Sequence, residues 1–357
     1  MNVLWVKDKK IGHEKQVKVL LDELSKLNEI NIFEDEVSSA HGKLDGFLSW
    51  FNINITRYGK QDRHIWAIRR TYKDKNIDII IGAGHGTYPS ILALKEALSL
   101  KEIPTSKITD ENYDRTSIYK KDKNTNIKAI AVLTPSFRLK DFDLICAPNH
   151  DSHRLKAIDD NKKIFYEGSL AKVYDQLPNE DIGFIGLGGK NKHFIFDVNN
   201  VFKQIQYITS LYPSKNWYIF NSRRTPNELN NLITDYIEIN KTTNISFENY
   251  DSTNENSYDK IISQSSIKFI TQDSVNMVYE SLSSRGETIL FNMDYKKMNK
   301  IVELVHNLLN TKKVGYIDDS VLAGDLKAMN IVKQHNKTLY AEVEKVAYKV
   351  NKYIKQI

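Results

Sequence analysis

Hydrophobic positions along the chain follow two alternating periods. Residues 2–6 (NVLWV) are a short apolar run. In 12–27, Val17, Leu20, Leu21, Leu24 and Leu27 recur every three or four positions, the spacing of an amphipathic helix. Residues 77–84 (IDIIIGAG) read as a buried strand ending in glycines, and 89–98 as a helix with Pro89 in its first turn. Residues 127–135 and 143–148 are two further strand candidates, each closed by proline. The second half repeats the alternation, with strands at 182–189, 216–222, 267–274 and 287–294 and helices at 198–212, 226–238 and 274–286, the last ending at Gly286. Residues 327–356 read as one or two helices with a basic polar face. The polar, Asn-rich stretches 120–126 and 239–260 carry no period, and the second reads as including a loop between strands.

Strands alternating with helices predict parallel sheets covered on both faces. Two such series in 357 residues predict an α/β chain of two Rossmann-like domains facing a central cleft. The expected division is 1–165, 166–325 and a helical tail at 326–357, because the chain between His150 and Asp181 includes a polar, weakly periodic stretch.

Composition narrows this little. Lys and Arg exceed Asp and Glu by 51 to 45, a net charge of +6. That excess suits anionic lipid, nucleotide or nucleic acid without choosing among them. Cys146 is the single cysteine, so no internal disulfide forms and a reducing compartment is expected. The apolar N-terminal run is too short for a signal peptide, and no run approaches the ~18 residues of a membrane span. These features predict a cytoplasmic protein.

In open α/β sheets, ligands bind beyond the carboxyl ends of the strands, so only residues there are candidates. In the first half these are Gly12 and His13 after the first strand, and Gly84, His85 and Gly86 after 77–83. Ser136, Arg138, His150 and Asp151 lie further on. Each has a plain alternative: His13 in a helix cap, His85 as a loop residue, Arg138 paired with Asp141 or Asp143, and His150–Asp151 as a turn. In the second half, Gly188, Gly189, Lys190, Lys192 and His193 join glycine backbone to cationic side chains. Ser222, Arg223, Arg224 and Thr225 close the next strand; Gln272, Asp273 and Ser274 open a helix that also carries Glu280. Caps and surface charge would account for each singly. Three such loops at strand ends of one domain point to a nucleoside-diphosphate site. Neither G-x-G-x-x-G nor the P-loop pattern is present, and no spacing matches a zinc site.

The blocks at 11–16 (IGHEKQ), 81–95, 135–151, 184–197, 222–226 (SRRTP) and 271–286 occur in an order that resembles the mitochondrial-fission ELM family, the plant "elongated mitochondria" proteins and their bacterial relatives. One departure is Lys190-Asn191, where the family usually has a Pro-Ser-type pair. The resemblance implies a GT-B glycosyltransferase-like fold, with a donor nucleotide against the C-terminal domain and an acceptor against the N-terminal one. It places Glu280 where such enzymes hold a ribose. The expectation is a metal-independent transferase without a cofactor, with His85 or His13 as general base, His85 being preferred. Gly12, Gly84, Gly86, Ser136, Arg138, His150 and Asp151 would face the acceptor. The expected partners are a nucleotide sugar of the nucleoside diphosphate or CMP type, a glycan or glycolipid acceptor and an anionic membrane surface at the cytoplasmic face of the inner membrane; no nucleic acid is expected. Two alternatives stand beside this: a non-catalytic recruitment protein on the same fold, and a nucleotide-sugar epimerase.

Overall fold

The computed structural model describes residues 1–36, 60–102, 119–122, 125–252, 255–323 and 326–356. It divides into two compact units, Met1–Glu167 with Glu342–Ile357, and Gly168–Ala341.

The first unit is a parallel six-stranded sheet. Its elements are β1 (Asn2–Lys7), α1 (Ile11–Ser25), β2 (Asn31–Glu36), α2 (Lys60–Tyr72), β3 (Ile79–Ala83), α3 (Tyr88–Leu98), the short antiparallel pair β4 (Leu100–Glu102) and β5 (Tyr119–Lys121), β6 (Lys128–Val132), β7 (Leu144–Pro148) and β8 (Lys163–Tyr166). The sheet order is β2-β1-β3-β6-β7-β8. Interior parallel strands are covered on both faces and so read as unbroken apolar runs; Ile79, Ile80 and Ile81 of β3 are all buried. β2 lies on one side of β1 and β3 on the other, so the order reverses between β1 and β3. With right-handed connections, the helices after these two strands lie on opposite faces, and their loops part over a crevice.

The second unit repeats the plan with β9 (Asn179–Gly186), α4 (Val198–Leu211), β10 (Asn216–Phe220), α5 (Asn227–Asn240), β11 (Ile245–Glu248), α6 (Glu255–Gln264), β12 (Ser265–Ile270), α7 (Val275–Leu282), β13 (Glu287–Leu290), α8 (Lys300–Asn310), β14 (Gly315–Ala323) and β15 (Leu326–Val332). The order β11-β10-β9-β12-β13-β14-β15 puts the reversal between β9 and β12. Phe184 stacks on Phe220 at 5.2 Å, and Tyr258 of α6 meets both edge-on, which seats α6 over β9 and β10. Buried Lys268 on β12 donates to the carbonyls of Ser284 and Arg285 beyond the end of α7, and burial lowers its pKa to about 7.

The expected helical tail is corrected. Residues 326–332 are a strand, paired antiparallel to β14, with Met329 and Ile331 against the core. The period of two gained a partner that the local sequence does not show. Only α9 (Glu342–Lys355) is helical, and it returns to the first unit to pack against α1 and β8. The stretch 239–260 likewise holds β11 and the start of α6, and the weakly periodic stretch before Asp181 holds β8.

Candidate functional site

In the first unit, the loops after β1 and β3 bring Asp8, His13, Gly84, His85 and Gly86 together over the β1/β3 crevice. Asp8 follows the last residue of β1, and His13 lies in the first turn of α1. The His13 Nδ1 and Asp8 Oδ2 are 2.9 Å apart. A carboxylate only accepts, so Nδ1 carries the hydrogen and donates it to Asp8, and Nε2 is the ring nitrogen left facing away from that bond. Burial pushes the Asp8 carboxyl up, but the His13 hydrogen bond and charge, with Lys10, outweigh it and hold it below its ordinary value. Gly84 makes room for this pair. Its φ is +88°, and a side chain there would overlap the His13 ring. Asp8 is the residue the sequence reading missed. Its signal was an acid directly after a buried strand and five positions before a histidine. Gly12 is not a loop residue, since α1 begins at Ile11 and the Gly12 carbonyl accepts from Gln16.

His85 lies beside this pair and is exposed. Its Nδ1 is 3.1 Å from the Ser136 hydroxyl. Partial burial of the ring, then the charges of Arg154, Lys10 and His13, lower its pKa. Arg154, at the end of the turn that follows β7, donates to the Pro135 carbonyl at 2.8 Å and lies 3.7 Å from Asp151. Arg138 is engaged by Asp141 instead, the plainer of its two expected roles. His150 and Asp151 lie in the same turn as Arg154, with Asp151 buried.

In the second unit, the three expected loops do converge around the β9/β12 reversal, but their small residues hold one another. The Gly188 amide donates to Thr271 Oγ1 at 2.7 Å and the Gly189 amide to Asp273 Oδ2 at 2.8 Å. The Lys190 amide donates to the Arg224 carbonyl. A side chain at Gly189 would strike the Arg224 backbone, so these glycines serve close packing of loop on loop, and their amides are not bare. Ser222 Oγ donates to the Gly188 carbonyl at 2.8 Å, and Thr225 Oγ1 to the Leu187 and Gly188 carbonyls. Gln272 is tied to the Phe291 carbonyl. Asp273, fully buried, pairs with Arg224 at 3.0 Å. Burial raises its pKa, opposed by the Gly189 amide, Arg224 and the Thr271 hydroxyl.

What faces outward is charge. Lys190, Lys192, Arg223 and Arg224 are exposed. The β13–α8 loop lies against the same loop through Ile195–Asp294 and Lys296–His193 backbone bonds, and it adds Lys296, whose Nζ donates to the Asn191 carbonyl. His193 is held below its ordinary pKa by burial and by Lys192, Arg224 and Lys300, against a raising bond from Asn299. Ser274 caps α7 without a side-chain bond, so the first-turn amides of that helix are available to an anion. Glu280, further along α7, accepts from Tyr258 at 2.7 Å. Among the described residues, no group of three or more His, Cys, Asp or Glu is placed to hold a metal ion, and no helix is long and apolar enough to cross a membrane.

The sequence matches the family described as Mitochondrial fission ELM1 over residues 115–353, more than half of the chain. The chain belongs to the mitochondrial fission ELM1 family. The ELM1 match leaves the blocks at 11–16 and 81–95 outside it. No curated protein matches the sequence. Among solved structures, one from Listeria monocytogenes, provisionally assigned as a UDP-N-acetylglucosamine 2-epimerase, is similar at a TM-score of 0.50 and 10% identity, over 85% of this chain and 81% of that one. The UDP-GlcNAc 2-epimerase from Methanocaldococcus jannaschii aligns at 0.49 and 10%, over 99% and 100%. The ADP-heptose lps heptosyltransferase II of E. coli aligns at 0.47 and 10%, over 100% and 99%. At such identities the likeness concerns the fold, and the ELM1-family chain has the two Rossmann-like units of a GT-B protein.

Proposed function

We propose that this ELM1-family chain is a glycosyltransferase that moves a sugar from a nucleotide-activated donor to a hydroxyl of a glycan or glycolipid. The observation that carries the reading is the Asp8–His13 pair at 2.9 Å over the β1/β3 crevice. His13 Nε2 takes the proton of the acceptor hydroxyl as its oxygen bonds to the sugar's anomeric carbon, and the bond from that carbon to the donor phosphate breaks. Asp8 holds the ring in the required tautomer and stabilises the imidazolium that forms. The nucleotide phosphate leaves with the electron pair. In the second unit, Lys190, Lys192, Arg223, Arg224 and the start of α7 are the candidate groups for a nucleotide phosphate, and Glu280 is the candidate for the ribose hydroxyls. Relative to the sequence expectation, the base moves from His85 to His13, because His13 meets the Asp8 carboxylate where His85 meets the Ser136 hydroxyl.

The test is a thermal-shift panel of nucleotide sugars on the full chain, followed by turnover with and without acceptors. A shift with one donor and sugar transfer that needs an acceptor support the reading. No shift with any nucleotide or nucleotide sugar overturns it. Conversion of the donor without an acceptor replaces it with the epimerase alternative.

A further inference from the structure

The first unit carries cationic and hydroxyl groups that the proton transfer does not use. Arg154 presents five N–H donors in a plane. One nitrogen is fixed by the Pro135 carbonyl at 2.8 Å. The other approaches Asp151 only to 3.7 Å, an ionic contact too long for a hydrogen bond, so N–H groups remain for a ligand. The His85–Ser136 contact at 3.1 Å also leaves a donor whichever way it runs. If the hydroxyl donates to Nδ1, Nε2–H is left; if Nδ1–H donates, the Ser136 hydroxyl hydrogen is left. Two residues before Ser136, the Thr134 hydroxyl is buried without a partner, in a residue only 5% exposed. Three residues after His85, α3 begins with no side-chain cap on its amides. Lys10 adds positive charge that reaches His85, while Asp8 is engaged by His13 and Asp151 faces Arg154.

We propose that His85, Ser136 and Arg154 form a seat for a phosphoryl group carried by the acceptor, an inference that rests on the transferase reading above. Donors arriving from the β3, β6 and β7 ends suit a tetrahedral set of oxygens better than a flat carboxylate. The seat adjoins His13, so an acceptor anchored there by its phosphate would bring a nearby hydroxyl to Nε2.

The test uses the full chain without any nucleotide sugar. Two probes are titrated, a soluble hexose phosphate and a short isoprenyl phosphate, with heat and the His85 ring resonances as readouts. Binding that moves the His85 resonances, weakened about tenfold in Arg154→Gln and several-fold in Ser136→Ala, supports the seat. Ser136 is exposed, so that variant keeps the fold. Preference for one probe tells whether the phosphate belongs to a soluble sugar or a lipid, and either outcome supports the seat. Binding of both probes unchanged in both variants, or binding that leaves His85 unmoved, overturns it. If the probes bind in an Arg154-dependent way and no nucleotide sugar shifts the wild type, the transferase reading fails and the seat stands.

Discussion

Replacing Gly84 with alanine tests the link between backbone and candidate base. Its φ of +88° is available to glycine and strained for other residues, a penalty of about 1–2 kcal/mol. The added methyl would overlap the His13 ring, and carbon contacts need about 3.5 Å, so the ring has to retreat by about 1 Å. That carries Nδ1 out of reach of Asp8, whose half-exposed partner limits the lost hydrogen bond to about 1 kcal/mol. The sum is about 2–3 kcal/mol. For a unit of this size it lowers the melting temperature by about 4–12 °C. Gly86→Ala is the control. Its new carbon would lie 3.2 Å from the Asp8 Cβ without a positive φ, and reduced chain entropy in the unfolded state offsets the crowding. Thermal unfolding and the His13 ring resonances read both variants. Gly84→Ala melting within 2 °C of wild type, with His13 unmoved, refutes the reasoning.

Asp8→Asn and His13→Ala should each lower turnover by about 10²–10⁴-fold while the donor-induced thermal shift persists. Arg223→Ala should weaken nucleotide binding, and rising salt should narrow its difference from wild type, as read by calorimetry. His85 has a folded pKa below its ordinary 6.5, so the stability it contributes is lost as pH falls from there; His85→Gln should flatten the unfolding curve on that acid side. Lys268 has a folded pKa of about 7 against 10.5 unfolded. The unfolded chain therefore binds more protons between those values, and stability should rise with pH across them; chemical denaturation should find that rise absent in Lys268→Met.

The second-unit loops show how far residue type alone carries an argument. Glycine beside lysine suggested bare amides for a phosphate, and the residues do meet at a strand-end crevice. The amides of Gly188 and Gly189, though, are taken by Thr271 and Asp273, more than 80 residues away. An anion there would meet exposed side chains and the start of α7.

The sequence by itself determined the two Rossmann-like series, because helical and buried-strand periods are local and survive without knowledge of neighbours. It also located the strand ends at which candidate chemistry gathers. Only the tertiary structure decided which candidates work together. Gly84 makes room for the Asp8–His13 pair because β1 and β3 are neighbours in the sheet, and Arg138 is held by Asp141 while the charge of Arg154 reaches His85. The strand at 326–332 follows the same rule, since β14 supplies its pairing. Hydrogen bonds and ion pairs act over about 3–4 Å, and the sequence does not display such distances between residues far apart in the chain.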